Sequence, residues 1–201
     1  MLTAIVLAAG SSKRMGGENK LLLPYKSKTI IASVVENLIK AGIEEIIVVV
    51  GYEAEQIKNA LKELPVNFIY NAAYANGITT SIQSGVLHAK GDGYMICLSD
   101  MVLITPEEYA LLQHTFKTQV QLNKKCICVP RYKNEKGNPV IFSSFYREAI
   151  LQHTDMNGCK TIVESNKENI YPVDMQTNHI LSDIDYLEDY KKLSAGFKKY
   201  N

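Results

Sequence analysis

The strongest constraint on the fold is a regular alternation through the first hundred residues. Short apolar, β-branched runs at 3–8, 45–50, 66–70 and 94–98 alternate with segments of helical periodicity at 29–41, 54–61 and 78–89. In the first helical segment the apolar residues fall at Ile30, Ile31, Val34, Val35, Leu38 and Ile39, one stripe of a helix, and Gly42 closes it. The apolar runs are too short for helices and several end at glycine, which reads as buried strands. Strand–helix–strand units with short connections make successive strands parallel and place the helices over the sheet. The expectation is an α/β, Rossmann-like architecture: a mainly parallel sheet with helices on both faces.

The second half is less regular. Residues 106–116 read as a helix with Pro106 near its first turn. Residues 125–132 and 139–142 read as strands, separated by the polar stretch KNEKGN, either a hairpin loop or a mobile lid. A helix near 145–153, a strand near 170–173 and a last helix from Tyr186 follow, with Asp185 and Glu188 spaced as a capping box. Neither a repeat nor a Pro/Ser-rich linker divides the chain, so one domain over residues 1–201 is expected.

Charge and cysteine usage exclude several classes. Lys+Arg and Asp+Glu number 22 and 21, a net charge of +1, which argues against general affinity for nucleic acid. No apolar run approaches the roughly 20 residues that span a bilayer. The N-terminus also lacks the basic, apolar and small-residue order of a signal peptide, so no membrane partner and a cytoplasmic location are expected. Cys97, Cys126, Cys128 and Cys159 form no C-x-x-C pair and have no histidine at metal-finger spacing. They read as buried small hydrophobes in a reducing compartment, Cys126 and Cys128 facing the same side of a strand.

The segment AAGSSKRMGGENKLLLP follows the first strand, at the carboxyl edge where open α/β sheets bind ligands. Gly10, Gly16 and Gly17 permit close backbone approach, and Lys13, Arg14 and Lys20 bring positive charge. Backbone N–H groups with basic side chains suit a polyphosphate, although the same composition also serves a solvated surface loop. Two motifs fail. A Walker loop starting at Gly10 would need glycine where Met15 stands, and the dinucleotide fingerprint would need glycines where Ser12 and Met15 stand.

The whole of LAAGSSKRMGGENKLLLP instead resembles the signature L-A-A-G-x-S-x-R-M-G-x-x-K-x-L-L-P of the MobA-like nucleotidyltransferases, and among them most of all the molybdenum cofactor cytidylyltransferases. NGITTSIQSG, CLSDMVLI, GNPVIF, TDMNGCK and SDIDYLEDY resemble further family motifs, in family order over nearly the whole chain. Departures include Val102 for a proline, Asn138 for a histidine, Cys159 for an alanine and Tyr186–Leu187 for Thr-Pro.

The resemblance implies a fold of the nucleotide-diphospho-sugar transferase type, with a nucleotide-binding half over 1–104 and an acceptor-binding half over 105–201. It implies transfer of a nucleoside monophosphate from an NTP to a phosphorylated acceptor with release of pyrophosphate, chemistry that rests on charge placement, a divalent cation and in-line positioning. Ala8, Ala9 and Gly10 would lie against the nucleotide, and Ser11, Ser12, Arg14 and Gly16 would wrap the triphosphate. Arg14 would clamp the departing pyrophosphate and Lys20 would neutralise charge nearer the α-phosphate. Asn76, Gly77 and Ser81, at a helix start, would bind base, ribose or phosphate. Asp100 would hold Mg²⁺, with a second carboxylate from Asp183 or from Asp185, the latter competing with its use as a helix cap. Gly137, Asn138, Pro139 and Lys160 would face the acceptor, and Asn138 leaves the acceptor's identity open.

Ala9 stands where guanylyl-transferring members carry glycine, and its methyl fits a smaller pyrimidine. CTP is therefore the expected nucleotide and molybdopterin the implied acceptor, with transient contact to a molybdoenzyme or its chaperone. Two rivals share the fold, a methylerythritol-phosphate cytidylyltransferase and a sugar-1-phosphate nucleotidyltransferase. A different class is a non-catalytic nucleotide- or cofactor-binding accessory protein for metalloenzyme maturation.

Overall fold

The computed structural model describes residues 1–12 and 18–195. The strands are β1 (Leu2–Ala8), β2 (Pro24–Tyr25), β3 (Lys28–Thr29), β4 (Glu45–Val50), β5 (Asn67–Tyr70), β6 (Gly93–Leu98), β7 (Ile127–Tyr132), β8 (Glu135–Lys136), β9 (Val140–Ser143) and β10 (Ile170–Asp174). The helices are α1 (Ile30–Lys40), α2 (Ala54–Ala60), α3 (Ile78–His88), α4 (Pro106–Leu122), α5 (Arg147–Leu151), α6 (Lys160–Glu164) and α7 (Leu187–Ala195).

The main sheet runs β10-β7-β9-β6-β1-β4-β5, with β8 paired to β7. β1 is central and parallel to both β4 and β6, and β4 is parallel to β5, as the alternating pattern requires. From β1 the chain moves outward through α1 to β4 and through α2 to β5, then returns through α3 to β6 on the other side of β1. The strand order thus reverses at β1, which opens a crevice above its carboxyl end.

The second half departs from parallel order. β9 is antiparallel to both β6 and β7 and wedges between them, while β10 adds to β7 in parallel. KNEKGN forms the hairpin alternative: Lys133 and Asn134 both take left-handed backbone (φ 47° and 70°), and Tyr132 pairs with Glu135. Positive φ at both central residues defines the type I′ turn that matches strand twist.

β1 is buried throughout, so its two faces pack on different layers. Ala4, Val6 and Ala8 meet Ile31, Val35 and Leu38 of α1 and Tyr109, Leu112 and Phe116 of α4 in one cluster. Ile5 and Leu7 meet Ile82 and Val86 of α3 and Ile150 of α5 in the other. α1 starts at Thr29, whose side chain accepts the Ala32 N–H. α4 starts with a full Thr105–Glu108 capping box and Pro106 in its first turn, and it runs six residues beyond the apolar stripe that announced it. At α7 the expected pairing of Asp185 with Glu188 is corrected. The helix begins at Leu187, and it is the Asp189 carboxylate that accepts the Asp185 and Tyr186 N–H groups. The four cysteines are buried and unbridged, with Cys126 and Cys128 side by side.

Candidate active site

The crevice above β1 is a cleft of about 780 Å³. One wall is the chain leaving β1: Ala9, Gly10, Ser11 and Ser12, with Lys20 and Leu21 beyond residues 13–17. A second wall is the exit of β6, Leu98, Ser99 and Asp100, joined by Asp183 and Asp185. The third wall consists of Tyr52, Tyr74, Ala75 and the start of α3 with Gly77, Ile78 and Ser81.

Local chemistry explains each wall. Ser99 is buried and its hydroxyl donates to the Leu7 carbonyl at 2.7 Å, tying the ends of β6 and β1 together beneath the cleft. The Tyr52 N–H donates to the Ala9 carbonyl at 3.1 Å, which fixes the β4 exit against the loop. Ser12 has left-handed backbone (φ 45°), and its hydroxyl accepts the Lys20 N–H at 3.4 Å. Asn19 caps a short 3-10 turn, Lys20–Leu22. Its Oδ1 accepts the Leu21 N–H at 3.1 Å and its Nδ2 donates to Glu53 Oε2 at 2.9 Å.

At α3, Gly77 has φ of 104°, and an added Cβ would stand 2.7 Å from the Met156 carbonyl oxygen, so only glycine fits this helix entry. Asn71 Nδ2 donates to the Thr80 and Ser81 hydroxyls at 2.9 and 3.0 Å. Ser81, an acceptor in that bond, can donate its own proton into the cleft.

The polar focus is Lys20 among carboxylates. Its Nζ donates to Asp100 Oδ2 at 2.5 Å, to the Ile184 carbonyl at 2.7 Å and to Asp185 Oδ1 at 3.4 Å. Asp183 and Asp185 flank Ile184, which is buried with Tyr25, Ile30, Val34 and Val102. That anchor holds the two flanking carboxylates beside the cleft. Val102, where the motif has proline, thus holds Ile184 by packing.

Burial pushes the Asp100 carboxyl above the usual carboxylate range; Lys20 opposes that shift and Asp183 adds to it. One oxygen from each of Asp100, Asp183 and Asp185 lies within 4.8 Å of the others. This is an all-oxygen, anionic donor set beside an open cleft, the kind that suits a hard divalent cation such as Mg²⁺.

A family model, the MobA-like NTP transferase domain, matches residues 4–170. The chain belongs to the MobA-like NTP transferase family. A protein of Methanosarcina mazei described as a probable molybdenum cofactor guanylyltransferase is 31% identical over 115 residues, 55% of this chain and 51% of that one. The nicotine blue oxidoreductase of Paenarthrobacter nicotinovorans is 22% identical over 197 residues, 96% of both chains. The molybdenum cofactor cytidylyltransferase of Escherichia coli is 23% identical over 190 residues, 94% of this chain and 93% of that one. The chain thus spans about half the length of the Methanosarcina relative and nearly all of the other two.

Among solved structures, a nucleotidyl transferase from Methanothermobacter superimposes with a TM-score of 0.85 at 23% identity, covering 100% of this chain and 99% of that one. Rv0371c of Mycobacterium tuberculosis in complex with manganese gives 0.72 at 24% identity, covering 96% and 97%. These likenesses establish the nucleotidyltransferase fold.

Of the residues that the family pattern nominates, Ala9, Gly10, Ser11, Ser12, Lys20, Gly77, Ser81, Asp100, Asp183 and Asp185 line one cleft. Arg14 and Gly16 lie outside the described residues. Ala8 is buried in the core on the α1 side, and Asn76 is exposed next to the lining residues Ala75 and Gly77. Gly137, Asn138 and Pro139 do not line the cleft. They are clamped on the turn that leads to the carboxylates, the Asn138 N–H donating to the Ile180 carbonyl at 3.0 Å. Lys160 opens α6, is exposed and lies 3.9 Å from Glu164. Motif reading missed Tyr52, Tyr74 and Ser99. Tyr52 and Ser99 each follow a parallel strand at its carboxyl end, a position that marks them as candidates. Tyr74, on a 3-10 turn, carries no such signal.

Proposed function

We propose that this chain transfers CMP from CTP to a phosphorylated small-molecule acceptor, with molybdopterin as the first candidate, and releases pyrophosphate. The observation that carries the reading is the convergence of the β1 loop, Lys20 and three carboxylates on one cleft. The triphosphate lies along Gly10–Ser12, and Arg14 holds the departing pyrophosphate. Lys20 offers its ammonium to the phosphate under attack. The base lies toward the wall of Tyr52 and Tyr74, whose rings provide stacking area, and the Ala9 methyl narrows the space at the loop. Asp100, with Asp183 and Asp185, would hold Mg²⁺, which when bound would supply positive charge to neutralise the phosphates. The acceptor enters from the side of Gly137–Pro139 and Lys160, over the 154–158 loop, where the Thr79 hydroxyl donates to the Asp155 carbonyl and accepts the Gly158 N–H.

Of the named relatives one is described as a guanylyltransferase and one as a cytidylyltransferase, so nucleotide choice is the property to measure first. The test is incubation with each NTP, Mg²⁺ and a panel of phosphorylated acceptors, followed by mass analysis of products and pyrophosphate assay. Pyrophosphate released with CTP in an acceptor-dependent manner is the expected result. A preference for GTP would reject the cytidylyl assignment, and binding without pyrophosphate would favour a nucleotide-binding accessory role.

A further inference from the structure

Lys20 and a divalent cation make the same demand on this site. An ammonium has three N–H donors. Those of Lys20 go to Asp100, Asp185 and the Ile184 carbonyl, so two of the three carboxylates of the metal-binding set are already held by a cation. The pair is shielded, with side-chain exposures of 17% for Lys20 and 10% for Asp100, and water screens it little. A dication on the same oxygens would stand within a few ångströms of the ammonium, where like charges repel strongly in a partly buried setting.

The backbone that carries Lys20 is anchored at Asn19 and at its own N–H. Asn19 is tied to Glu53, and the Lys20 N–H is held by Ser12. With that anchoring, the long side chain is the part of Lys20 best able to change position. Beside it lies the cleft lined by Gly10, Ser11 and Ser12, where a polyphosphate would offer several anionic oxygens in exchange for two.

From this geometry we infer that Lys20 is a resident counter-ion that closes the carboxylate cluster to free divalent metal, and that metal is admitted together with a nucleoside triphosphate whose phosphates take over the ammonium. The inference rests on the metal-assisted transfer reading and adds an order of events to it. Metal and nucleotide binding are positively coupled, and by linkage the coupling is the same in both directions. The nucleotide's own chelation of metal contributes to such coupling in any enzyme of this kind. What belongs to Lys20 is the weak binding of metal by the protein alone.

The experiment is titration of the full chain with Mn²⁺ in the absence of nucleotide, following free Mn²⁺ by electron paramagnetic resonance. It compares wild type with Lys20→Met, which keeps the length of the side chain and removes its charge. The variant is expected to bind Mn²⁺ at least tenfold more tightly than wild type, and addition of CTP is expected to tighten wild type more than the variant. Wild type binding Mn²⁺ alone within twofold of the variant, with CTP binding intact, overturns the inference and leaves the transfer reading standing. Failure of both chains to bind Mn²⁺ with or without CTP overturns the transfer reading and the inference with it. If thermal melts show Lys20→Met unfolded, Lys20→Gln, which keeps a hydrogen-bond donor without charge, is titrated against the same two thresholds.

Discussion

Asp100→Asn should move activity and stability in opposite directions. Asp100 is only 7% exposed, and burial outweighs the help of Lys20 in setting its proton affinity, so its folded-state pKa lies above that of the unfolded chain. A carboxyl with a raised folded pKa penalises the fold above that pKa, where it must ionise in a poor environment. The penalty disappears below the unfolded pKa, where both states are protonated. Asparagine is nearly isosteric, carries no charge to desolvate, and its Oδ1 can still accept from Lys20. Single stabilising substitutions commonly yield about 0.5–2 kcal/mol, and removing a buried charge from a functional site belongs to that range. For a chain of this size each kcal/mol is worth about 2–4 °C in Tm, so a rise of roughly 1–8 °C is expected at neutral pH with divalent metal chelated. The gain should shrink as pH falls and vanish below the ordinary carboxylate range. Activity should fall by at least about 10²–10³, the usual loss when one positioned charge or donor at a reacting centre is removed. The assays are thermal melts from acid to neutral pH and Mg²⁺-dependent pyrophosphate release. A variant less stable than wild type at neutral pH would refute the claim that burial dominates at Asp100. Near-normal turnover in the folded variant would refute its place in the metal set.

Three further outcomes follow from other parts of the chain. Arg14→Ala and Lys20→Ala should each cost roughly ten- to a hundredfold in kcat/KM for the nucleotide, the worth of a charge-assisted hydrogen bond, whereas Lys13→Ala should cost well under tenfold; equal losses in all three would reduce the loop to a diffuse basic patch. Gly85→Ala puts a Cβ 2.3 Å from Ile5 Cγ2 where α3 crosses β1, so overpacking should destabilise by about 1–3 kcal/mol despite alanine's better helix propensity, and an unchanged melting temperature would show that α3 has room to shift. All four cysteines are buried, and burial pushes the Cys97 thiol up and that of Cys159 to about 12. Iodoacetamide at pH 8 should therefore label the chain only after unfolding, and rapid labelling of the native protein would contradict the packing.

The parallel half of the fold was legible because buried parallel strands are written as unbroken β-branched runs, and α1 and α3 as stripes between them. The other half was not, for a physical reason. β9 is four residues long and antiparallel to both neighbours, and nothing in Val140–Ser143 states that it inserts between β6 and β7 instead of lying at an edge. KNEKGN reads only as a polar stretch, because the tight turn is made by Lys133 and Asn134, and a lysine in left-handed backbone has no sequence signature. Gly137 is needed for a reason outside the turn: a Cβ there would stand 2.3 Å from the Ile180 carbonyl oxygen. The capping carboxylate of α7 was placed one residue early because a helix start one residue later, at Leu187, shifts its partner to Asp189.

The polar site shows where local reading ends. Lys20 lies 80 residues from Asp100 and 165 from Asp185, and no spacing rule joins them. The resemblance named these residues, but it could not say that the ammonium and the carboxylates would meet. Their meeting depends on apolar and neutral groups: Ser99 pinning β6 to β1, Ile184 buried against Val34 and Val102, and Asn19 held by Glu53. Each sets the position of a charged neighbour in the chain, one residue away in all three cases. Charge at the cleft is therefore positioned from below by packing. Ile184→Ala, in that layer, should therefore lower Mg²⁺-dependent turnover by shifting Asp183 and Asp185 while melts still show a folded chain, and unchanged turnover in the folded variant would refute this.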